Sequence, residues 1–269
     1  MFNDEDFNLT TLLDKKLFVL FFAPFFLGAI TIFGFSPYNL TFLNFFSFSA
    51  LLFLILTIKR KTQSIYRKKK SFRYFFYLGC SFGFGFFLCG NYWITISLTH
   101  DPNFKNLIPL ALLLIPLFLS LFFGLAISIS GIFAEKKIFF ILFFSLIFSV
   151  FEFFRGNLLT GFPWNLISYT WSWSNESIQI LSLIGTYGFS LISITFFCIP
   201  FLLIQKSNTK NNIILLFVFL GLFVANYFYG SFKINNNKYL FDKDLSVKIV
   251  SPNFSLKDYD TKSEISQLK

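Results

Sequence analysis

The residues best suited to chemistry fall in one stretch, Phe151–Trp173, which reads F-E-F-F-R-G-N-L-L-T-G-F-P-W-N-L-I-S-Y-T-W-S-W. Glu152 and Arg155 are three apart at the end of an apolar run, so on a helix they share a face and can pair. Ionisable groups at the end of a membrane span are costly if they face lipid, so they should face a bundle or an aqueous cleft. Two readings follow: an interfacial ion pair that fixes the helix end, or a contact to a head group or substrate. Gly161-Phe162-Pro163-Trp164 comes next, where Gly and Pro shape a turn. Trp164, Trp171 and Trp173 could form an interfacial aromatic belt, and a rigid turn carrying a large aromatic could also be the lip of a lipid-binding cleft. Tyr92 and Trp93 form an aromatic pair further upstream, followed by His100-Asp101-Pro102.

Other chemistries find little support. His100 is the only histidine and has no carboxylate or thiol at ligand spacing, so no metal site is expected. A catalytic pair with the adjacent Asp101 is weak, because neighbouring loop residues seldom point together. Cys80, Cys89 and Cys198 lie far apart inside apolar runs and read as inert thiols. The sequence holds no Gly-rich phosphate loop, no HExxH and no G-x-S-x-G, and no cofactor is expected.

The elements that must position these residues are membrane spans. Only 13% of the 269 residues are charged and 55% are hydrophobic, against about 25% charged in an average soluble domain. Long uncharged runs meet the bilayer criterion of about 20 apolar residues. Seven spans are predicted: Leu17–Phe35, Leu40–Ile58, Phe72–Leu98, Leu107–Phe133, Ile138–Phe154, Ile178–Ile204 and Ile213–Tyr229. The segment before the first is acidic and no small-x-small site ends its apolar run, so that span is expected to be a retained helix, not a cleaved leader. Gly79 and Gly83, and Ser120, Gly124 and Ser128, form small-residue stripes that let helix backbones pack closely.

The net charge of +10 does not point to nucleic acid, because the basic residues sit between spans. Fourteen Lys and Arg fall in the loops on one side, from Lys15 to Lys210, against Lys105 and Arg155 on the other. That asymmetry predicts a cytoplasmic N-terminus and a tail on the outer side. The domain reading is a seven-helix transmembrane domain over 1–230, a linker over 231–244, and residues 245–269 as the start of a further domain. In that last part Leu245–Val250 alternates as a strand would, and the tail is too short to bury a core alone.

F-R-G-N-L-L-T-G-F-P-W at 154–164 resembles the signature of the apolipoprotein N-acyltransferase family. In order with it stand A-P-F-F-L-G-A-I-T-I-F-G-F-S-P-Y at 23–38, G-F-G-F-F-L-C-G-N-Y-W-I at 83–94, L-I-P-L-A-L-L-L-I-P at 107–116 and L-S-L-I-G-T-Y-G-F-S at 181–190. V-K-I-V-S-P-N-F at 247–254 resembles the first strand of that family's nitrilase-like domain. The resemblance implies an all-α polytopic bundle of seven transmembrane helices followed by the truncated first strand of an α/β nitrilase-like domain. It implies a bacterial inner-membrane protein with a periplasmic tail, working as a monomer. The implied partners are a phospholipid acyl donor and a diacylglyceryl-lipoprotein acceptor, joined through a thioester on a Cys that works with a Glu and a Lys. No position here matches those three residues, Glu264 included, so the chain is expected to be catalytically incomplete and inactive alone. Arg155, Gly161, Phe162, Pro163 and Trp164 match the signature and would border the substrate cleft, with Tyr92 and Trp93 on the same side. The competing readings are a seven-span permease or transporter, and a non-catalytic membrane scaffold.

Overall fold

The computed structural model describes residues 17–62, 68–135, 138–159, 161–203 and 209–236, with Ser246 and Lys248 alone beyond them. Among the described residues the architecture is entirely helical. The strand expected over Leu245–Val250, the tail 251–269 and Lys15 and Lys16 lie outside the described residues.

Helix α1 covers Phe18–Ile32, with a π-wound opening turn over Phe18–Phe22. Its fifteen residues span about 22 Å at 1.5 Å per residue, shorter than the Leu17–Phe35 span read from hydropathy. The hydrophobic run continues past Ile32, but the chain turns there: Asn39 takes φ 57° and Leu40 N–H returns to the Phe33 carbonyl oxygen at 2.8 Å. Then come α2 (Phe42–Lys61), α3 (Lys68–Asn91), α4 (Ile108–Ile132), α5 (Ile138–Asn157), α6 (Leu181–Cys198, continued by Pro200–Leu203) and α7 (Thr209–Asn236). Among the described residues six helices are long and apolar enough to cross a membrane, and α1 is a shorter apolar helix beside them. α5 runs one turn beyond the predicted end and carries Arg155 inside the helix. α7 continues to Asn236, into residues assigned from sequence to a linker. α6 begins three residues later than predicted and is kinked at Gly185, where φ is +70°.

Five phenylalanines, one from each of α2 to α6, form the centre of the bundle. Phe48 meets Phe82, Phe148 and Phe197 with ring centroids 5.8–6.0 Å apart, and Phe123 meets Phe148 at 4.5 Å. All five are essentially inaccessible to solvent. Around them α3 lies along α4 and α1 along α3. A Cβ on Gly28 would run into the Phe82 carbonyl, and one on Gly79 would come within 2.8 Å of the Gly124 Cα. The small-residue stripes are thus seams within one chain, where backbones approach closely. Many buried hydroxyls bond within their own helices: Thr31 to Leu27, Ser128 to Gly124, Ser130 to Ala126 and Ser193 to Phe189. Hydroxyls spent in this way do not line a polar path.

Candidate functional site: a clamped aromatic loop

One end of the bundle gathers the turn 33–41, the two 3-10 helices Tyr92–Thr99 and Pro102–Leu107, and the long loop from Leu158 to Ile180. The loop starts where α5 ends. Leu158 N–H closes on the Phe154 carbonyl oxygen at 2.7 Å, and Phe162 N–H reaches back to the Arg155 carbonyl oxygen at 2.8 Å. Between them Gly161 takes φ +74°, a left-handed conformation that costs a glycine nothing and reverses the chain at a helix C-terminus.

The returning segment of the loop runs over the end of α5, where two ionisable side chains, Glu152 and Arg155, lie beneath it. Arg155 is 1% exposed. Its Nη1 donates to the Phe162 carbonyl oxygen at 2.7 Å and the Trp164 carbonyl oxygen at 2.8 Å. Its guanidinium also lies 5.0 Å from the centre of the Phe87 ring, in the range of a cation–π contact. Glu152, fully buried, accepts the Ile167 N–H on Oε1 at 3.0 Å. The two side chains stand one helix turn apart, and each holds the backbone of the loop.

Further along, the 3-10 turn Ile167–Trp171 is tied to α6 and to the turn before α2. Ser168 N–H donates to Ser190 Oγ at 3.1 Å, and Trp171 Nε1 donates to Ser193 Oγ at 3.0 Å. Thr41 Oγ1 donates to the Thr170 carbonyl oxygen at 2.7 Å and accepts Trp173 Nε1 at 3.0 Å. Tyr169 lies at this edge, where burial, and then the neighbouring Tyr187 and Glu152, push its phenol above its ordinary value.

The clamp presents Trp164 to the other aromatic pair. Trp164 meets Trp93 edge-on, with ring centroids 5.4 Å apart at 72°. Beneath them Asn165 Nδ2 donates to Asn91 Oδ1 at 2.8 Å. Trp93 and Trp164 are each about half exposed, and Tyr92 more so. The structure thus brings Arg155, Phe162, Trp164 and Trp93 into one cluster, with Gly161 and Pro163 shaping the turn and Tyr92 beside it. Phe162 is half-buried and packs on the bundle core, so it supports the loop from below. Asp101 caps the helix Pro102–Leu107 through Asn103 N–H at 2.8 Å. Among the described residues no three His, Cys, Asp or Glu side chains gather where they could hold a metal.

The sequence reading missed Asn91, Asn165, Thr41, Ser190 and Ser193. Each is a polar residue in or beside an apolar run, the kind that in a membrane must find a partner. That signal is present in the sequence, but the partners lie 22 to 132 residues away.

A family model described as the apolipoprotein N-acyltransferase N-terminal domain matches residues 27–199. The chain is 37% identical over 175 residues to the apolipoprotein N-acyltransferase of Rickettsia typhi, covering 65% of this chain and 35% of that protein. It is 31% identical over 238 residues to that of Brucella melitensis, covering 87% and 43%. With that of Rhodopseudomonas palustris it shares 29% over 194 residues. The chain therefore spans between a third and a half of the length of these relatives. The matched region holds the end of α1, α2 to α5, the clamped loop and most of α6, and the chain belongs to the apolipoprotein N-acyltransferase family.

Proposed function

We propose that this chain supplies the membrane part of an acyl transfer from phospholipid to the α-amino group of the S-diacylglyceryl-cysteine of a lipoprotein. The aromatic end of the bundle, Tyr92, Trp93 and Trp164 over the Arg155 clamp, is the platform on which the acyl chains of donor and acceptor lie. The single observation that carries this reading is the Trp93–Trp164 contact, made by two exposed indoles whose backbone supports are buried. An interfacial anchor needs only exposed tryptophans. A pair locked to a buried guanidinium is built to hold one geometry. Arg155 acts in this reading through Trp164 and not by touching a head group, since it is buried and Nη1 already serves two carbonyls.

In this reading the loop end faces the periplasm, the N-terminus the cytoplasm, and the protein works as a monomer in the inner membrane. The thioester chemistry belongs to a nitrilase-like part that residues 245–250 begin. Cys80 and Cys89 lie in the span Ser71–Thr99, and Cys198 is wholly buried in α6, so none is placed to act as an aqueous nucleophile. Residues 1–269 expressed alone are expected to transfer no acyl groups, measured by mass spectrometry of a reporter lipoprotein. In a chimera that joins residues 1–236 to the remainder of the Rickettsia typhi relative, Trp164→Ala is expected to slow transfer by at least about tenfold, the scale of losing an aromatic anchor at a binding surface. Membrane insertion should be unchanged. Normal kinetics in that variant would reduce Trp164 to an interfacial anchor.

A further inference from the structure

Two side chains one helical turn apart hold the loop at two places. Arg155 takes the carbonyls of Phe162 and Trp164, and Glu152 takes the N–H of Ile167. The second contact has its own logic. Ile167 opens a 3-10 helix whose preceding residue, Leu166, is extended at φ −69° and ψ 141°, so its N–H has no partner within the helix. Ile167 and Leu166 are both buried, and a buried N–H left without an acceptor is costly. The Glu152 side chain supplies that acceptor from the facing helix, its Oε1 3.0 Å from the Ile167 nitrogen.

We propose that Glu152 is a positioning residue whose carboxylate anchors the Ile167 N–H and so fixes Trp164 against Trp93, rather than serving chiefly as the ion-pair partner of Arg155. The proposal deepens the reading of that indole pair as a substrate platform, but it stands or falls on where the indoles sit, whatever the pair binds.

The test labels the chain's four tryptophans with 5-fluorotryptophan and reads their fluorine resonances in lipid nanodiscs, assigned by single Trp→Phe changes. Glu152→Gln keeps an amide oxygen at the acceptor position and is expected to leave the Trp93 and Trp164 resonances in place. Glu152→Leu removes the acceptor, and the population of released loop should rise about 10- to 100-fold, as for a buried N–H left without an acceptor. The Trp164 and Trp93 signals then shift or broaden, while Trp173, tied to Thr41, holds. Ile167→Pro approaches from the other side, deleting the donor while Glu152 and Arg155 stay intact. Proline is accommodated at the first helical position after an extended residue. It should reproduce the Glu152→Leu spectrum. The idea is overturned if Ile167→Pro leaves Trp164 unmoved, or if Glu152→Gln disturbs the pair as much as Glu152→Leu, which would assign the role to charge. If Glu152→Leu fails to fold, the Gln and Pro variants still decide the question.

Discussion

Helices α5 and α7 share the same mean hydropathy, 2.1, yet 44% of the first is buried in the bundle and only 11% of the second. Hydropathy therefore sets which segments leave water, and it says nothing of which helices associate once there. In lipid the apolar side chains gain little by touching one another, so association falls to close packing and to polar groups that need partners. α5 has both. Phe140, Phe144 and Phe148 line its buried face, Ser149 Oγ donates to the Tyr187 carbonyl oxygen at 2.7 Å, and Glu152 and Arg155 hold the loop. α7 has one narrow stripe. Phe219 and Phe223 stack on Phe196, and Asn226 Nδ2 donates to the Ser177 carbonyl oxygen at 2.9 Å. Phe217, Phe228 and Phe232 stand about two-thirds exposed.

The largest effect that would break this contrast comes from Arg155→Met. It leaves two loop carbonyls without a donor. Each such group left unsatisfied costs about 1–3 kcal/mol, so the variant should unfold at markedly lower temperature in detergent micelles and become cleavable between residues 158 and 174. Unaltered protease resistance would mean that the loop is held well enough by Glu152, Ser190, Ser193 and Thr41 without Arg155. Gly156→Val comes next. Its side chain would run into the Tyr187 hydroxyl, a rigid ring also packed on Phe153 at 5.3 Å. Overpacking of that kind costs about 1–3 kcal/mol, read as a shift in the thermal midpoint.

The two helices also differ in how far their roles could be read in advance. The spans were legible, because apolar runs of sufficient length have few alternatives. So were the seams at Gly79, Gly83 and Gly124, because small residues four apart fall on one face of a helix. The end of α1 was not, since Phe33 to Phe35 continue the apolar run and only the turn geometry stops it. At the site, Glu152 and Arg155 were recognised by spacing, but their hydrogen-bond partners were not. Those partners are backbone groups 7 to 15 residues downstream, and backbone N–H and C=O groups look alike in every sequence. The meeting of Trp93 with Trp164 needed the three-dimensional path of the loop. For α7, hydropathy placed the helix and could not say that most of its surface would be bare.

One of the polar contacts of α7 is weak enough to measure. Asn226→Leu removes the bond to the Ser177 carbonyl oxygen while retaining bulk and adding an apolar group. A net loss of about 1 kcal/mol is expected, the usual worth of one such bond. It should appear as easier detachment of α7, for instance as increased modification by a maleimide of a cysteine introduced at Ser177. No change in labelling would show that the aromatic stack of Phe196, Phe219 and Phe223 alone keeps the helix in place.

The smallest expected effect is the sharpest for the comparison. Nothing lies within 4 Å of a Cβ built on Gly221, in the middle of α7, so Gly221→Val meets no neighbour. In the helix interior the change replaces a poor helix former by a somewhat better one, worth a few tenths of a kcal/mol in favour of the variant. The thermal midpoint should therefore stay level or rise slightly, in contrast to the fall at Gly156 on α5. If instead Gly221→Val destabilises the protein in a bilayer as much as Gly156→Val does, a neighbouring backbone must approach that face within the membrane. The bare surface of α7 would then be a seam of the same small-residue kind as that between α3 and α4, and the low burial of this helix would no longer set it apart from α5.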